Sequence, residues 1–453
     1  EFDEGAGFDD TDPRNAYGPY FQRQRVEIYH TYAKSLVERG LAYPCFCTEE
    51  ELDKVRAKQE EDKVLTGYYG EYATCRNLSY EEIEANIKAG KPYVLRLRSQ
   101  GSPDKEITFV DAIKGEIKLP ENIHDIVLLK KDGIPTYHFA HAIDDHLMRT
   151  TTVVRGGEWL ASAPIHYELF HLLGFKMPAY AHTAHLMKFD EETGGKRKLS
   201  KRKDPELSLD YYRKDGYHPY TMKVYLLTLL NSNFEEWHEK FPDKDINEFP
   251  FSVEKMNQSG ALFDKDKLHN ICKNELSKLS EEQLYDFLYD WAKENEPENV
   301  EKWFGDREKM LQILRLYMGV SAKRRRKDLM YAKQIFELIS YFFDGESSEE
   351  MDEFKLDDDM VSKILKSYLA KYDHNDDNSV WFNKLKEIAD EHGFASDMKA
   401  YKANPENFKG NVSDIAEAVR IAVTGRANTP DLWTIVHIMG EEQMTERIKK
   451  HIK

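Results

Sequence analysis

Residues Thr151, Thr152, Val153 and Val154 form an uncharged run in which every side chain is branched at Cβ. A polar loop from Arg155 to Glu158 follows, then a helical pattern from Trp159 to Leu173 closed by Gly174. Such a run suits a strand buried in a parallel sheet, and the glycine suits a helix end. A strand, loop and helix in this order restrict the chain to an α/β architecture, because parallel strands need a crossover that covers the sheet. In doubly wound sheets ligands bind beyond the carboxyl ends of strands, which puts Arg155 and Glu158 where a substrate would lie.

The flanking segments extend this reading. Arg25 to Gly40 repeats its apolar residues at helical spacing, with Gly40 placed to end the helix. From Tyr43 to Gly133 the pattern changes to an α+β insertion: a charged helix from Thr48 to Lys58, strands near Val94–Arg98, Ile107–Val110 and Ile117–Leu119, and paired strands Ile126–Leu129 and Thr136–Phe139 across an Asp132-Gly133 turn. Leu209 to Asn231 reads as helix with a break near Gly216–Pro219. The remainder is mainly α, including Leu329–Phe343 with Asp328 as cap, Val361–Tyr372, Val380–His392, Val412–Val423 and a helix starting at Thr429-Pro430.

With 453 residues, 40% of them apolar, the chain has material for two to four cores. Its net charge of −17 argues against wholesale adhesion to nucleic acid, so any RNA contact must be local. No window of 18 apolar residues occurs and the four cysteines do not resemble a secreted disulfide framework, so the expectation is a cytoplasmic protein with no membrane partner.

Three clusters carry chemistry. Gly194-Gly195-Lys196-Arg197-Lys198-Leu199-Ser200-Lys201-Arg202 places five cations around one hydroxyl on a glycine-containing loop. It reads as a solvated basic face or as a flap over a polyphosphate, with Lys198 and Lys201 as point charges and Ser200 as a neutral hydrogen-bond donor. Cys45, Cys47 and Cys75 offer three thiolates for one tetrahedral zinc, or three reduced thiols packed in a small subdomain. Lys323-Arg324-Arg325-Arg326-Lys327 is either a solvated helical turn or a phosphate contact. No Ser/His/Asp or Cys/His nucleophile arrangement stands out.

Lys198 to Arg202 resembles the KMSKS-type signature of class I aminoacyl-tRNA synthetases, and its neighbours resemble the bacterial glutamyl-tRNA synthetases. The likeness rests on Gly18-Pro19-Tyr20 with Gln22 and Arg25, Tyr137-His138-Phe139-Ala140, Asp144 to Met148, Arg155 to Trp159, Asp215-Gly216-Tyr217 and the apolar run Val224 to Leu230, in the family's order along the whole chain. It implies ATP-dependent activation of L-glutamate to glutamyl-adenylate, with Mg²⁺ shielding the phosphates, and transfer to the 3′ end of tRNA(Glu). The implied fold is a Rossmann-like α/β catalytic domain (1–42 and 134–197), an acceptor-end-binding α+β insertion (43–133), a signature-loop and stem-contact domain (198–275) and an all-α anticodon-binding domain (276–453).

By the same resemblance Tyr137 and Arg155 hold the glutamate side chain, with His141 beside them where the family often has Asn. Lys198, Ser200 and Lys201 act on ATP. Glu158 either touches the adenylate or caps the following helix, and Gly157 replaces a frequent acidic residue. Residues 323–327 contact tRNA, with Arg420 and Arg426 as weaker candidates. Zinc-containing relatives complete a Cys-x-Cys and third-Cys site with Tyr or His, which leaves Tyr68, Tyr69 or Tyr72 for the Cys45, Cys47 and Cys75 set. A monomer without DNA partners is expected. The front piece bearing the HIGH-type motif is expected to precede Glu1, so the chain alone is expected to have little activity. The alternatives are a catalytically inactive tRNA-binding fragment, a paralogue that glutamylates a modified tRNA base, and a glutaminyl-specific enzyme. A long helical tail disfavours the second, and the expected β-barrel half disfavours the third.

Overall fold

The computed structural model describes residues 3–6, 14–190, 192–200, 202–320, 324–343 and 351–453. The chain divides into two compact units, residues 1–198 with 229–262 and residues 199–228 with 263–453.

The first unit holds the strands: β1 (Ala42–Cys45), β2 (Val94–Leu97), β3 (Glu106–Asp111), β4 (Gly115–Pro120), β5 (Val127–Leu129), β6 (Thr152–Gly156), β7 (Ala179–Thr183), β8 (Leu186–Phe189), β9 (Lys196–Lys198) and β10 (Ala261–Leu262). They form three sheets in the orders β1-β2-β5, β4-β3-β7-β6 and β10-β8-β9. β6 and β7 are parallel, in register from Thr152 with Ala179 to Gly156 with Thr183. A 3₁₀ turn (Gly157–Ser162) and the helix Ala163–Leu173 make the crossover, which ends at Gly174 with φ of 74°. The β-branched run is therefore a parallel strand but not a buried one. β6 ends its sheet among the described residues, and Val154 is 56% exposed because neighbouring backbone flanks the strand on one side only.

A second difference lies at Thr136–Phe139. The Asp132-Gly133 turn forms, with Gly133 at φ of 77° and its N–H on the Lys130 carbonyl (2.9 Å). Its return arm is only a bridge between Leu129 and Pro135, after which the chain coils into the helix Tyr137–Leu147. Phe139, Ala140, Ala142 and Ile143 are buried at helical spacing, and this apolar face outweighs the short strand-like pattern at its start. The helix packs with Val26–Glu38 and Ala163–Leu173 in a core containing Tyr29, Leu36, Leu97, Phe139 and Phe170. Arg25, 3% exposed, donates from Nε to Asp144 Oδ1 (2.9 Å), and the Tyr29 hydroxyl donates to Asp144 Oδ2 (2.7 Å). Asp144 is thus a tie between helices and lies away from the polar groups it accompanies in sequence.

Within residues 43–133 the buried Asp125 organises the polar interior. It accepts from the Tyr43 hydroxyl (2.6 Å), the Ser99 N–H (2.8 Å) and the Arg76 guanidinium, and its carbonyl accepts from Arg96 (2.9 Å). Arg96 on β2 lies buried over the Tyr68 ring. The helix Glu49–Glu61 starts from a Thr48 capping box.

The second unit is helical. Leu284, Leu288, Leu314, Ile335, Ile364, Ile388, Val419 and Ile435 belong to one continuous core. The break at Gly216 separates Leu209–Asp215 from Pro219–Leu230, as the sequence pattern predicts. Two helix starts differ from expectation. Asp328 pairs with Arg326 instead of capping, and the helix it was to cap runs Ala332–Ile339. The last pair of helices begins at Leu432, where Asp431 accepts the Thr434 N–H (2.9 Å), two residues beyond Thr429-Pro430.

Removing the Asp144 carboxylate leaves a buried guanidinium charge without its partner. Asp144→Ala is expected to lower the stability of the first unit by about 3 kcal/mol in urea denaturation.

Candidate active site

Arg155 leaves the end of β6 directly beside His182 of β7, because the two residues are register partners. Its Nε donates to His182 Nε2 (2.9 Å) and its Nη1 donates to His166 Nδ1 (3.2 Å), while the guanidinium lies over the Tyr180 ring at 4.6 Å. A guanidinium only donates, so both contacted ring nitrogens carry lone pairs and both tautomers are determined. His182 then donates from Nδ1 to Asp111 Oδ2 (2.6 Å), and His166 donates from Nε2 to His138 Nδ1 (2.9 Å).

These rings are held neutral. Burial, reinforced by His141 and Arg155, drives His166 down to about 2. Burial also lowers His182, against the raising pull of Asp111, and lowers His138. Burial alone would raise the Asp111 carboxyl. Hydrogen bonds from His182 and from the Lys114 and Ile113 backbone more than offset this and hold it below the usual range.

The third nitrogen of the guanidinium, Arg155 Nη2, is buried and has no hydrogen-bond partner. No carboxylate pairs with Arg155 among the described residues. Tyr137 begins the helix Tyr137–Leu147 with a ring 47% exposed, stacked on His141 (5.7 Å, 12°) and 4.5 Å from the Trp159 ring. His141 Nε2 lies 2.7 Å from the Tyr180 hydroxyl, and its Nδ1 lies 2.9 Å from Asp145 Oδ2, a buried carboxylate oxygen with no hydrogen-bond partner. The result is an aromatic cleft with a cation at its base and one strong donor unspent.

The basic segment is more ordered than a pliable loop. Lys196–Lys198 pair with β8 as β9, and Asp190 holds the turn by accepting from the Thr193 N–H (2.9 Å) and pairing with Arg197 (3.2 Å). Gly194, at φ of 68°, allows that turn. Lys198 Nζ lies 3.5 Å from His185 Nε2, and His185 Nδ1 lies 3.4 Å from Glu158 Oε2. Glu158 does not cap the following turn with its side chain. It folds back over Gly156, where a Cβ would sit 2.2 Å from its carboxylate. Ser200 donates its N–H to Asp204 Oδ2 (2.8 Å). Lys201 lies outside the described residues.

At the second cluster, the Sγ atoms of Cys45, Cys47 and Cys75 lie within 4.8 Å of one another. Of the three tyrosines considered, Tyr68 points its hydroxyl at the thiols, 3.4 Å from Cys45 and 3.3 Å from Cys47. Tyr69 and Tyr72 hydrogen-bond elsewhere, to the Leu65 carbonyl and Asp62. Hydrogen bonds with Cys47 and Cys75 push the Cys45 thiol below its ordinary range and the contacts with Cys45 and Cys75 push Cys47 above it, so the three thiols share negative charge unequally. The donor set fits a tetrahedral zinc.

In the third cluster Lys323 lies outside the described residues, and Arg324 to Lys327 form an irregular connection instead of a helical turn. Arg326 pairs with Asp328, and Lys327 donates to Asn274 Oδ1 (2.7 Å). Arg420 and Arg426 donate to the carbonyls of Ala427 (3.4 Å) and Glu337 (2.5 Å), which gives them structural employment. Asp111, His166, His182 and His185 were not singled out from sequence. The Ala181-His182-Thr183-Ala184-His185 segment, which ends β7 and leads into β8, was the available signal.

Comparison with known proteins places this geometry. Residues 7–270 match the family described as tRNA synthetases class I (E and Q), catalytic domain, and residues 283–452 match the anticodon binding domain. The fold is that of a class I aminoacyl-tRNA synthetase. A glutamate–tRNA ligase of Acetivibrio thermocellus is 52% identical over 452 residues, covering 99% of this chain and 82% of that protein, and one of Clostridium perfringens strain SM101 is 46% identical, covering 100% and 82%. The crystal structure of a glutamate tRNA ligase from Elizabethkingia meningosepticum in complex with its amino acid superposes with a TM-score of 0.73 at 26% identity, covering 98% of this chain and 86% of that one. The chain belongs to the glutamate–tRNA ligase family.

A pH dependence follows from the buried rings. The folded value of His166 lies below the unfolded one, so its contribution is complete above about pH 6.5 and is lost as the pH falls toward 2. Urea midpoints of the first unit should fall as the pH drops below about 6.5, and His166→Gln should flatten that decline.

Proposed function

We propose that this chain activates L-glutamate with ATP and transfers it to the 3′ end of tRNA(Glu), and that Arg155 selects the amino acid. The observation that carries the reading is the buried Arg155 Nη2 without a hydrogen-bond partner, on a guanidinium that no carboxylate of the described residues pairs with. A substrate carboxylate supplies the missing acceptor, and a guanidinium binds it with directed hydrogen bonds. The Tyr137 and Trp159 rings form the wall along which the aliphatic part of glutamate lies. The two neutral imidazoles orient Arg155 without cancelling its charge.

In the first step the α-carboxylate attacks the α-phosphorus of ATP and pyrophosphate leaves. Mg²⁺ enters as the magnesium complex of the nucleotide and shields its phosphates. Lys198 and Lys201 stabilise charge that develops on the phosphate oxygens, with Ser200 as a neutral donor. His185 and Glu158 hold the Lys198 ammonium while the site is empty. In the second step the terminal ribose hydroxyl of the tRNA attacks the activated carbonyl and AMP leaves. No side-chain nucleophile is required.

Residues 43–133 receive the acceptor end, and the helical portion from 276 onward, with residues 323–327, contacts the anticodon arm. Cys45, Cys47, Cys75 and Tyr68 hold a structural zinc. A cytoplasmic monomer completes the reading.

Two sets of variants test it. In a protein extended at its N terminus by a HIGH-type segment, Lys198→Ala and Lys201→Ala should each slow glutamate-dependent ATP–pyrophosphate exchange by about 100-fold while changing the glutamate Kd by less than about twofold. Equal effects on both would overturn the assignment. Purified protein should carry one zinc per chain by elemental analysis, and Cys45→Ser should lose it together with thermal stability in the first unit.

A further inference from the structure

A second concave surface lies outside the cleft that the reaction uses. A groove of about 550 Å³ opens beside the helix Val26–Glu38, the segment leading into β2 and the turn after β5. It shares no lining residue with the cleft of Tyr137, Arg155 and Lys198. Its floor is apolar, made of Ala33, Val37, Pro92, Tyr93, Leu95 and Leu129. Its rim carries the ammonium groups of Lys34, Lys91, Lys130 and Lys131, and Glu38 is the one acid among the lining residues.

These cations stand on fixed backbone from three separate elements. Lys130 and Lys131 enter the turn closed by the Lys130 N–H to Ile134 O bond (2.9 Å), and Asp132 accepts the Ile134 N–H (3.0 Å). The turn is joined to the helix by His30 Nε2 and the Gly133 carbonyl, 2.9 Å apart. Lys91 follows Gly90, at φ of 68°, and its N–H caps the preceding helix at Asn86 O (3.1 Å). Lys34 lies on the helix itself. Among the described residues none of the four forms an ion pair within 4.0 Å. The Tyr93 ring, 43% exposed, is backed by Phe46 (5.6 Å between centroids).

Glu38 stands one turn from Lys34 on the same helix and Glu50 interacts with Lys131, so the groove keeps a local excess of ammonium charge over its apolar floor in a chain of net charge −17. Lysines act as point charges that suit phosphate, in contrast to the forked recognition of a carboxylate by arginine. An exposed, supported aromatic ring beside a proline suits the flat face of a base. The volume falls in the range of small-molecule sites, and its concavity differs from the continuous basic track an RNA strand requires. We propose that this groove binds a nucleoside polyphosphate at a second, non-substrate site, with the base against Tyr93 and Pro92 and the phosphates among Lys34, Lys130 and Lys131.

The test uses the full chain and 8-azido-ADP as photoprobe, with labelled peptides mapped by mass spectrometry. Saturable labelling of residues 91–98 is expected, and Lys198→Ala should retain it. The double variant Lys34→Glu/Lys131→Glu should weaken it by about tenfold with an unchanged circular-dichroism spectrum. Should that variant misfold, Tyr93→Ala serves instead: it should lose the base contact and labelling while still binding inorganic pyrophosphate in isothermal titration. Labelling confined to the active-site peptides, labelling of 91–98 indifferent to these substitutions, or displacement by single-stranded RNA but not by ADP would each overturn the proposal.

Discussion

A guanidinium held half-way to satisfaction is the constraint on which the proposed chemistry rests. Arg155 spends Nε and Nη1 on two neutral histidines and leaves Nη2 buried without a partner. An unmet buried donor costs on the order of 1–3 kcal/mol, and more when it is charged. A carboxylate at that position would relieve the cost and also extinguish the site. An acid joins the clamp one step removed: Asp111 holds His182, and His182 holds Arg155. The acid fixes the tautomer and orientation of the imidazole, while the arginine keeps one N–H group without a protein acceptor, the group that the proposed reading gives to the substrate.

The sheet makes this arrangement possible. Parallel pairing of β6 with β7 sets Arg155 beside His182, and the contact of β3 with β7 at Asp111 and Tyr180 brings the acid to the same point. Tyr180 then lies under the guanidinium face. The residues around the clamp therefore come from several segments of the first unit, and each is placed by register or by helix packing and not by its own loop. The neutral state of the rings follows from the same burial that packs them.

Much of this was legible in sequence because it is local. The strand β6 and the helix that follows it, the helix Val26–Glu38 and the break at Gly216 announce themselves through periodicity and glycine, whereas the returning strand β7 did not. Tyr137 and Arg155 were found by likeness to a known family. The clamp around Arg155 was not legible, since Asp111, His166 and His182 meet only when distant segments pair, and no spacing along the chain encodes that. Val154 misled because a β-branched run does not say whether its strand is central or at an edge. Thr136–Phe139 misled because four residues fit strand and helix alike, and only the apolar face continuing to Ile143 decides. Tyr68 emerged from three nearby tyrosines because the fold, not the sequence, aims its hydroxyl at the thiols.

The central claim is that the spare donor of Arg155 awaits a negative side chain. Isothermal titration of the protein with L-glutamate and with L-glutamine compares two ligands of nearly equal shape that differ in that charge. Glutamate should bind at least about 100-fold more tightly, and Arg155→Gln should erase most of the difference. Equal binding of the two amino acids, or a preference that survives Arg155→Gln, would contradict the account.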